Sequence, residues 1–305
     1  METKESIFSK VKSENLKLDP DTYVYRYLPL EAFIDMVVTQ KNTLTSLAMQ
    51  TDQFEGGVYS LNVEFAHKDL MAPFEGSKKN IYIQCWTTIE NSEGMWKAYS
   101  NGTTTRTVKI KCKAGNLFDS LLNTNEVYYP NCYMLPLRYK KQNAINSILV
   151  KSAEKLSSMT WRELAEQMTL KRDDFNYEHE VRLLYIDIFS LMRKPILSEF
   201  DGKTMKCPFD IGEIEEVMLD PWSKPYYFDS IKVALKNIGF DENKIVRCSY
   251  FDAKPTISID STRDDFLRKW EKIVLKQIND DKTLSPQKKT AYCEIIHKQF
   301  QNMIQ

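Results

Sequence analysis

The stretch Phe175-Asn176-Tyr177-Glu178-His179-Glu180-Val181-Arg182-Leu183-Leu184-Tyr185 decides how this chain is read. Aromatic, Val and Leu residues dominate it, and no Gly or Pro interrupts it, so it predicts one β-strand. Strand side chains alternate. Glu178, Glu180 and Arg182 therefore share one face, and Tyr177, His179, Val181 and Leu183 share the other. Two readings of the charged face stand. One is a solvated strand face whose charges pair among themselves. The other is a catalytic carboxylate assisted by a second one, because neighbouring like charges shift one another's pKa and suit acid, base or cation-stabilising work.

Working outward, the 305 residues are enough for one large domain or two modest ones. Hydrophobic content of 42% and charged content of 28% are those of a soluble globular protein. Lys plus Arg balance Asp plus Glu at 42 each, which gives no global argument for a nucleic acid or membrane partner. Cys85, Cys112, Cys132, Cys207, Cys248 and Cys293 are scattered, which fits no zinc-finger spacing and reads as reduced thiols. The start, Met1-Glu2-Thr3-Lys4-Glu5-Ser6, is polar rather than a signal peptide, and no apolar run reaches the ~20 residues of a membrane span. The expected location is cytoplasmic.

Residues 1–21 read as a polar N-terminal arm, 22–258 as an α+β domain and 259–305 as a C-terminal helical hairpin. Thr22 to Leu28 is the first strand, with Arg26 on the same face as Val24 and Leu28. Pro29 starts a helix with Leu30, Phe33, Ile34, Val37 and Val38 at helical spacing. A short strand at 43–47 leads to a loop carrying Thr51-Asp52-Gln53-Phe54-Glu55, then a helix around 60–71. Further strands are expected at 81–88, at 106–112 with Lys109 and Lys111 outward, near 133–138, at 214–219 and at 245–250. Met95, Trp96 and Tyr99 sit on a short helix, and 116–170 is mainly helical. At the C-terminal end, Ser261 and Asp264 resemble a capping box. Phe266, Leu267, Trp270, Ile273, Val274 and Ile278 form one helical stripe, and Ser285-Pro286 opens a second helix.

Each remaining candidate has a plain structural reading beside a functional one. Arg26 is either a guanidinium stacked between Tyr rings or a bidentate anion contact. Thr87 is either a good strand former or a hydroxyl bracing a carboxylate, and Trp96 and Tyr99 are either core or a stacking surface. Asp52 and Glu55 read as turn chemistry, and the three His have no metal-ligand spacing. There is no Walker loop, dinucleotide-binding Gly motif, HExxH or nucleophile elbow.

Taken in order, Tyr25-Arg26-Tyr27, Thr51-Asp52-Gln53-Phe54-Glu55, Cys85-Trp86-Thr87, Trp96-x-x-Tyr99 and Tyr177-Glu178-His179-Glu180-Val181-Arg182 resemble a bacterial family grouped as a domain of unknown function. The loop departs from the family's pattern, Thr51 and Gln53 standing where Asn and Pro are usual. The same order is similar to ADP-ribosyltransferases of the Arg–Ser–Glu type. That resemblance implies a split β-sheet core with surrounding helices and a cleft that takes NAD as substrate. It implies Glu180 and Glu178 as catalytic residues, and Arg26, Tyr27, Thr87, Trp96 and Tyr99 as contacts to NAD. It implies no metal. It further implies a toxin or anti-phage effector with a macromolecular acceptor (protein, DNA or RNA), restrained by an antitoxin or a phage-derived trigger. The C-terminal hairpin would dock a partner or close a homo-oligomer.

Two rivals remain open. One is a non-catalytic nucleotide-binding sensor, which predicts the Glu pair bridged to Arg182 or Lys with no open pocket. The other is a Mg²⁺-dependent nuclease, which predicts Asp52 or Glu55 close to Glu180. A transferase predicts Arg26 and Glu180 facing one another across a cleft.

Overall fold

Tyr23–Pro29 forms strand β1, alternating Val24 and Leu28 into a core, and its terminal Pro29 leads into helix α2 (Leu30–Thr39), which buries Leu30, Phe33, Met36 and Val37. This computed structural model describes residues 3–50, 56–60, 63–64, 70–71, 75–100, 107–124, 129–155, 158–187, 203–248 and 261–304. Before β1 lies helix α1 (Lys4–Asn15), capped by Thr3, with Val11 and Leu16 buried. After α2 come β2 (Lys41–Ser46), the short antiparallel pair β3 (Val63–Glu64) and β4 (Leu70–Met71), and β5 (Ile81–Thr87). Of the helix expected around 60–71, the described residues 63–64 and 70–71 are strands instead, and the rest of that stretch after Ser60 lies outside the described residues. Helix α3 (Glu93–Ser100), β6 (Thr107–Lys113), α4 (Ala114–Leu122) and β7 (Cys132–Pro136) follow. Next are β8 (Arg138–Lys140), α5 (Gln142–Glu154), α6 (Trp161–Gln167), β9 (Leu170–Arg172) and β10 (Glu180–Ile186). The first unit closes with β11 (Thr204–Pro208), β12 (Glu216–Leu219), α7 (Pro225–Asn237) and β13 (Ile245–Arg247).

The fold is α+β, and its main sheet forks. Among the described residues, strands β11-β2-β5-β1-β6-β12-β13 follow one another, and β10 joins β5 to β7. On one edge β5 pairs with β10 over its whole length, from Ile81↔Ile186 to Thr87↔Glu180. Its other edge is divided. β2 takes the first half, at Tyr82 and Ile83, and β1 touches only Thr87, through Tyr25. Between those points the two branches part. The gap is filled by amides rather than by a ladder: Asn42 and the buried Gln84 exchange side-chain bonds of 3.0 and 2.6 Å. Gln84 Nε2 also donates to the Thr43 carbonyl at 2.8 Å, and the Trp86 indole N–H donates to Gln84 Oε1 at 2.7 Å. A buried strand edge demands partners for its polar groups, and this cluster supplies polar ones where the ladder stops.

Apolar clusters cover both faces. One gathers Val24, Leu28, Val108, Ile110, Leu117, Phe118, Val181, Leu183 and Leu235. The other gathers Leu47, Ile81, Ile83, Leu164, Met168, Leu184 and Ile186. Strand β10 is therefore buried throughout, which overturns the solvated-face reading. Lys109, expected to point outward, is also buried. Its Nζ donates to the Glu90 carbonyl at 2.7 Å and ties the loop before α3 to β6.

The chain divides into two units, Met1–Phe251 and Asp252–Gln305. The second is an αα-hairpin of α8 (Arg263–Asp280) and α9 (Pro286–Ile304). Its N-cap is Thr262, whose hydroxyl accepts from the Asp265 N–H, one residue along from the cap expected at Ser261. Trp270 packs edge-on against Phe300 at 5.3 Å. Among the described residues no helix is long and apolar enough to cross a membrane.

Replacing Gln84 by Leu strands the Asn42 amide, the Thr43 carbonyl and the Trp86 indole N–H in a dry fork. The expected loss is about 3 kcal/mol, read as a lower urea midpoint with an unchanged slope. An unshifted midpoint contradicts the role given to this amide cluster.

Candidate functional site

The expected single strand at 175–185 is in fact two pieces. Asp173–Glu178 is a 3-10 turn, and His179 stands in the left-handed region at φ 40° and ψ 50°. Only from Glu180 does the chain run as β10. His is one of the residue types that tolerate this backbone conformation, so the sequence can turn here without Gly. His179 therefore does not face away along a strand; it is an exposed residue at a corner. The corner keeps both carboxylates on one group. Lys171 Nζ lies 2.5 Å from Glu178 Oε2 and 2.7 Å from Glu180 Oε2.

Three supports hold Glu180. Arg182 Nε donates to Glu180 Oε1 at 2.7 Å, and Arg182 Nη1 donates to the Met168 carbonyl at 2.7 Å. The Cys85 thiol hydrogen-bonds the same carboxyl. The Glu180 main-chain N–H donates to the Tyr139 hydroxyl at 2.8 Å. Glu180 is 5% exposed and Arg182 0%. Burial by itself would raise the Glu180 pKa, but the Arg182 and Lys171 charges and the hydrogen bonds outweigh it and pull it down to about 2. The carboxylate is thus ionised at every physiological pH.

Arg26 faces the same space from the other branch of the fork. Tyr25, Arg26, Tyr27, Cys85, Trp86, Thr87, Met95, Tyr99, Glu178 and Glu180 line one narrow cleft. It has about 10 Å³ of free space, room for about one water molecule. Burial lowers the Arg26 pKa, and among the described residues its guanidinium makes no hydrogen bond and no ion pair. A desolvated cation without a partner is expensive unless an anion is destined for it.

The other expected residues fall into place unevenly. Tyr99 is 43% exposed and stacks on Tyr27 at 5.8 Å, so its ring is available at the rim. Trp96 is buried edge-on behind Tyr27 at 4.8 Å and does not line the cleft. Thr87 is the strand partner of Glu180, but its hydroxyl donates to the Glu178 carbonyl at 2.6 Å and accepts from the Ile89 N–H. It therefore braces the corner and not the Glu180 carboxylate. Asp52 and Glu55 lie outside the described residues. Among the described residues no three His, Cys, Asp or Glu gather as a metal site.

Sequence reasoning missed Lys171, Tyr139 and Cys85. Tyr139 and Lys171 are direct partners in the small parallel pair β8–β9. Each strand is three residues long, too short to carry a periodic signal.

A family described as a protein of unknown function (DUF2971) matches residues 95–183, which bears out the resemblance over that segment. It runs from Met95 in α3 to Leu183 in β10, and so includes Tyr99, Lys171, Glu178 and Glu180 but not Arg26. No curated protein matches the chain. Among solved structures the chain is similar to Thermus sp. 2.9 DarT in complex with NAD+, at 9% identity and a TM-score of 0.35, over 77% of this chain and 98% of that one.

Because the folded pKa of Glu180 lies below its ordinary value of 4.5, its charge stabilises the fold above that value and ceases to do so as pH falls through about 2. The contribution is about 3 kcal/mol. Denaturation followed from pH 7 down to pH 2 should show that loss in the parent protein. Glu180→Gln should start less stable at pH 7 and show a flatter acid limb. Parallel limbs would contradict the assignment.

Proposed function

We propose that the cleft binds NAD and transfers ADP-ribose to a macromolecular acceptor, a protein or a nucleic acid. What carries this reading is one juxtaposition: Arg26, a cation without a partner among the described residues, lines the same cleft as a carboxylate held ionised to about pH 2. The unpaired guanidinium suits a phosphate of the dinucleotide. The ionised Glu180 suits a positive charge that develops on a ribosyl carbon.

The depressed pKa also selects among leaving groups. Ordinary glycoside cleavage needs a protonated carboxyl to assist a departing alkoxide. Glu180 cannot supply that proton near neutrality. A pyridinium leaving group needs none, because nicotinamide departs neutral with the bonding pair. Glu180 would bind the ribose and stabilise the developing charge, while Glu178 would orient or deprotonate the acceptor. Thr87 would hold the Glu178 corner, Tyr99 would stack on a ring, and Tyr27 backed by Trp96 would support Tyr99. Such an activity would suit a toxin or anti-phage effector kept in check by an antitoxin or released by a phage-derived trigger.

A second reading has one observation in its favour. Both carboxylates are bridged by Lys171 and the cleft has space for about one water, as a non-catalytic nucleotide-binding sensor predicts. Catalysis separates the two. Incubation with labelled NAD and lysate, RNA or single-stranded DNA should release nicotinamide and label the acceptor. Glu180→Gln should lower the rate by about 100-fold or more, while Arg26→Lys should mainly raise KM. Binding of NAD with no nicotinamide release from the parent protein would overturn the transferase reading in favour of the sensor.

A further inference from the structure

We propose that the α8–α9 hairpin is a dimerisation module: two copies of this chain close a four-helix bundle through the outer face of the hairpin, each α8 lying on the α9 of its partner. The inference is independent of how the cleft is read, and no residue of the cleft enters it.

The hairpin carries more apolar surface than it buries. Its inner seam sets Leu267, Val274 and Ile278 of α8 against Cys293, Ile296 and Phe300 of α9. Glu271 also lies in the seam, where its carboxylate meets His297 Nδ1 at 2.5 Å. Leu267 and Phe300 are its buried apolar side chains among the described residues. A pair of helices with so small a core is marginal by itself.

Each helix also carries a second stripe, one position ahead of its seam. On α8 it is Phe266, Trp270 and Ile273, and on α9 it is Tyr292, Ile295 and Met303, all exposed. One position earlier is a turn of about 100° on a helix. The helices run antiparallel, with Trp270 beside Phe300 and Asn279 beside Lys289. Equal turns taken along opposite chain directions bring both stripes to the same side of the hairpin. Both step by three and four residues, Phe266-Trp270-Ile273-Gln277 and Tyr292-Ile295-Gln299-Met303, the spacing by which helices interlock in bundles.

A second copy completes this face. The levels set by Trp270 with Phe300 and Asn279 with Lys289 fix what a two-fold axis parallel to the helices brings together. Ile273 then meets the partner's Ile295. The polar members of the stripes also find one another: Gln299 meets the indole N–H of the partner's Trp270, and Gln277 the hydroxyl of the partner's Tyr292. At the rims Asp280 comes level with the partner's Lys288 and Lys276 with the partner's Glu294, set against the like pair of Lys269 and the partner's Lys298. The 18 residues of α8 make a face about 27 Å long, and two helices side by side are about 20 Å wide, so pairing buries roughly 1,000 Å² in total. That is the lower bound of a specific interface, so the dimer is a reversible one.

Sedimentation equilibrium of the full chain over about a hundredfold range of concentration should show monomer and dimer in exchange, with a dissociation constant in the micromolar range. Ile273 and Ile295 are the probes, being 56% and 53% exposed and outside the seam. Ile273→Glu and Ile295→Lys should each be monomeric with unchanged helical circular dichroism. An equimolar mixture of the two should dimerise again, because the mixed pair sets the new acid against the new base. Ile273→Ala and Ile295→Ala, which disturb the helices least, should each weaken the dimer about tenfold. Gln301→Glu, on the far side of α9, should leave it unchanged. A parent that is monomeric throughout the range overturns the inference, as does a dimer that both alanine variants leave intact. Folded Glu and Lys variants that fail to pair when mixed overturn the placement of α8 on the partner's α9, and the inference with it.

Discussion

Strand β5 has one edge to offer and two strands that claim it. β2 and β1 cannot both lie along seven residues, so the sheet splits, and whatever lies at the split has to satisfy polar groups without a continuous ladder. The Asn42–Gln84–Trp86 amide cluster does this on the β2 side. On the β1 side the split becomes a cleft, floored by Cys85 to Thr87. Its position follows from register alone: Thr87 is opposite Tyr25 on one edge and Glu180 on the other. Arg26 and Glu180 are brought together because Glu180 lies on that shared rung and Arg26 follows it directly.

The charges obey a second constraint. Glu180 and Arg182 are two residues apart on a strand that is buried on both faces, so each needs the other. Arg182 is also anchored by the Met168 carbonyl, which ties the start of β10 to the segment after α6. Lys171 arrives from β9 and extends the pair to Glu178. The result is an ion chain that stiffens the site and keeps Glu180 deprotonated. Buried ion pairs are weak evidence for stability in themselves. Here the arrangement yields a fixed negative charge facing a cleft, which is a property of use to chemistry.

Much of this was legible in the sequence, and the rest fails for identifiable reasons. The strand–Pro–helix opening, the strand at 81–88, the short helix with Met95, Trp96 and Tyr99 and the C-terminal helices all follow from composition and period. Arg26, Thr87, Glu178 and Glu180 do come to one place. The turn at His179 was missed because no Gly or Asn marks it, and a charged pair spaced by two looks like strand alternation even when a corner separates its members. Lys171 and Tyr139 were missed because three-residue strands have no period. Lys109 was read as outward because alternation cannot tell a solvated face from one roofed by a loop; its ammonium is buried under the Glu90 carbonyl. Trp96 and Tyr99 share a helical spacing, and only packing separates the buried ring from the rim ring.

We propose the fork between β1 and β5 as a dinucleotide site with Arg26 and Glu180 on its two walls. A crystal structure of the protein grown with saturating NAD+ tests it most directly. The expected result is a phosphate within hydrogen-bond distance of the Arg26 guanidinium and the nicotinamide riboside against Glu180. NAD+ bound elsewhere, with the cleft between Arg26 and Glu180 still closed, would contradict it.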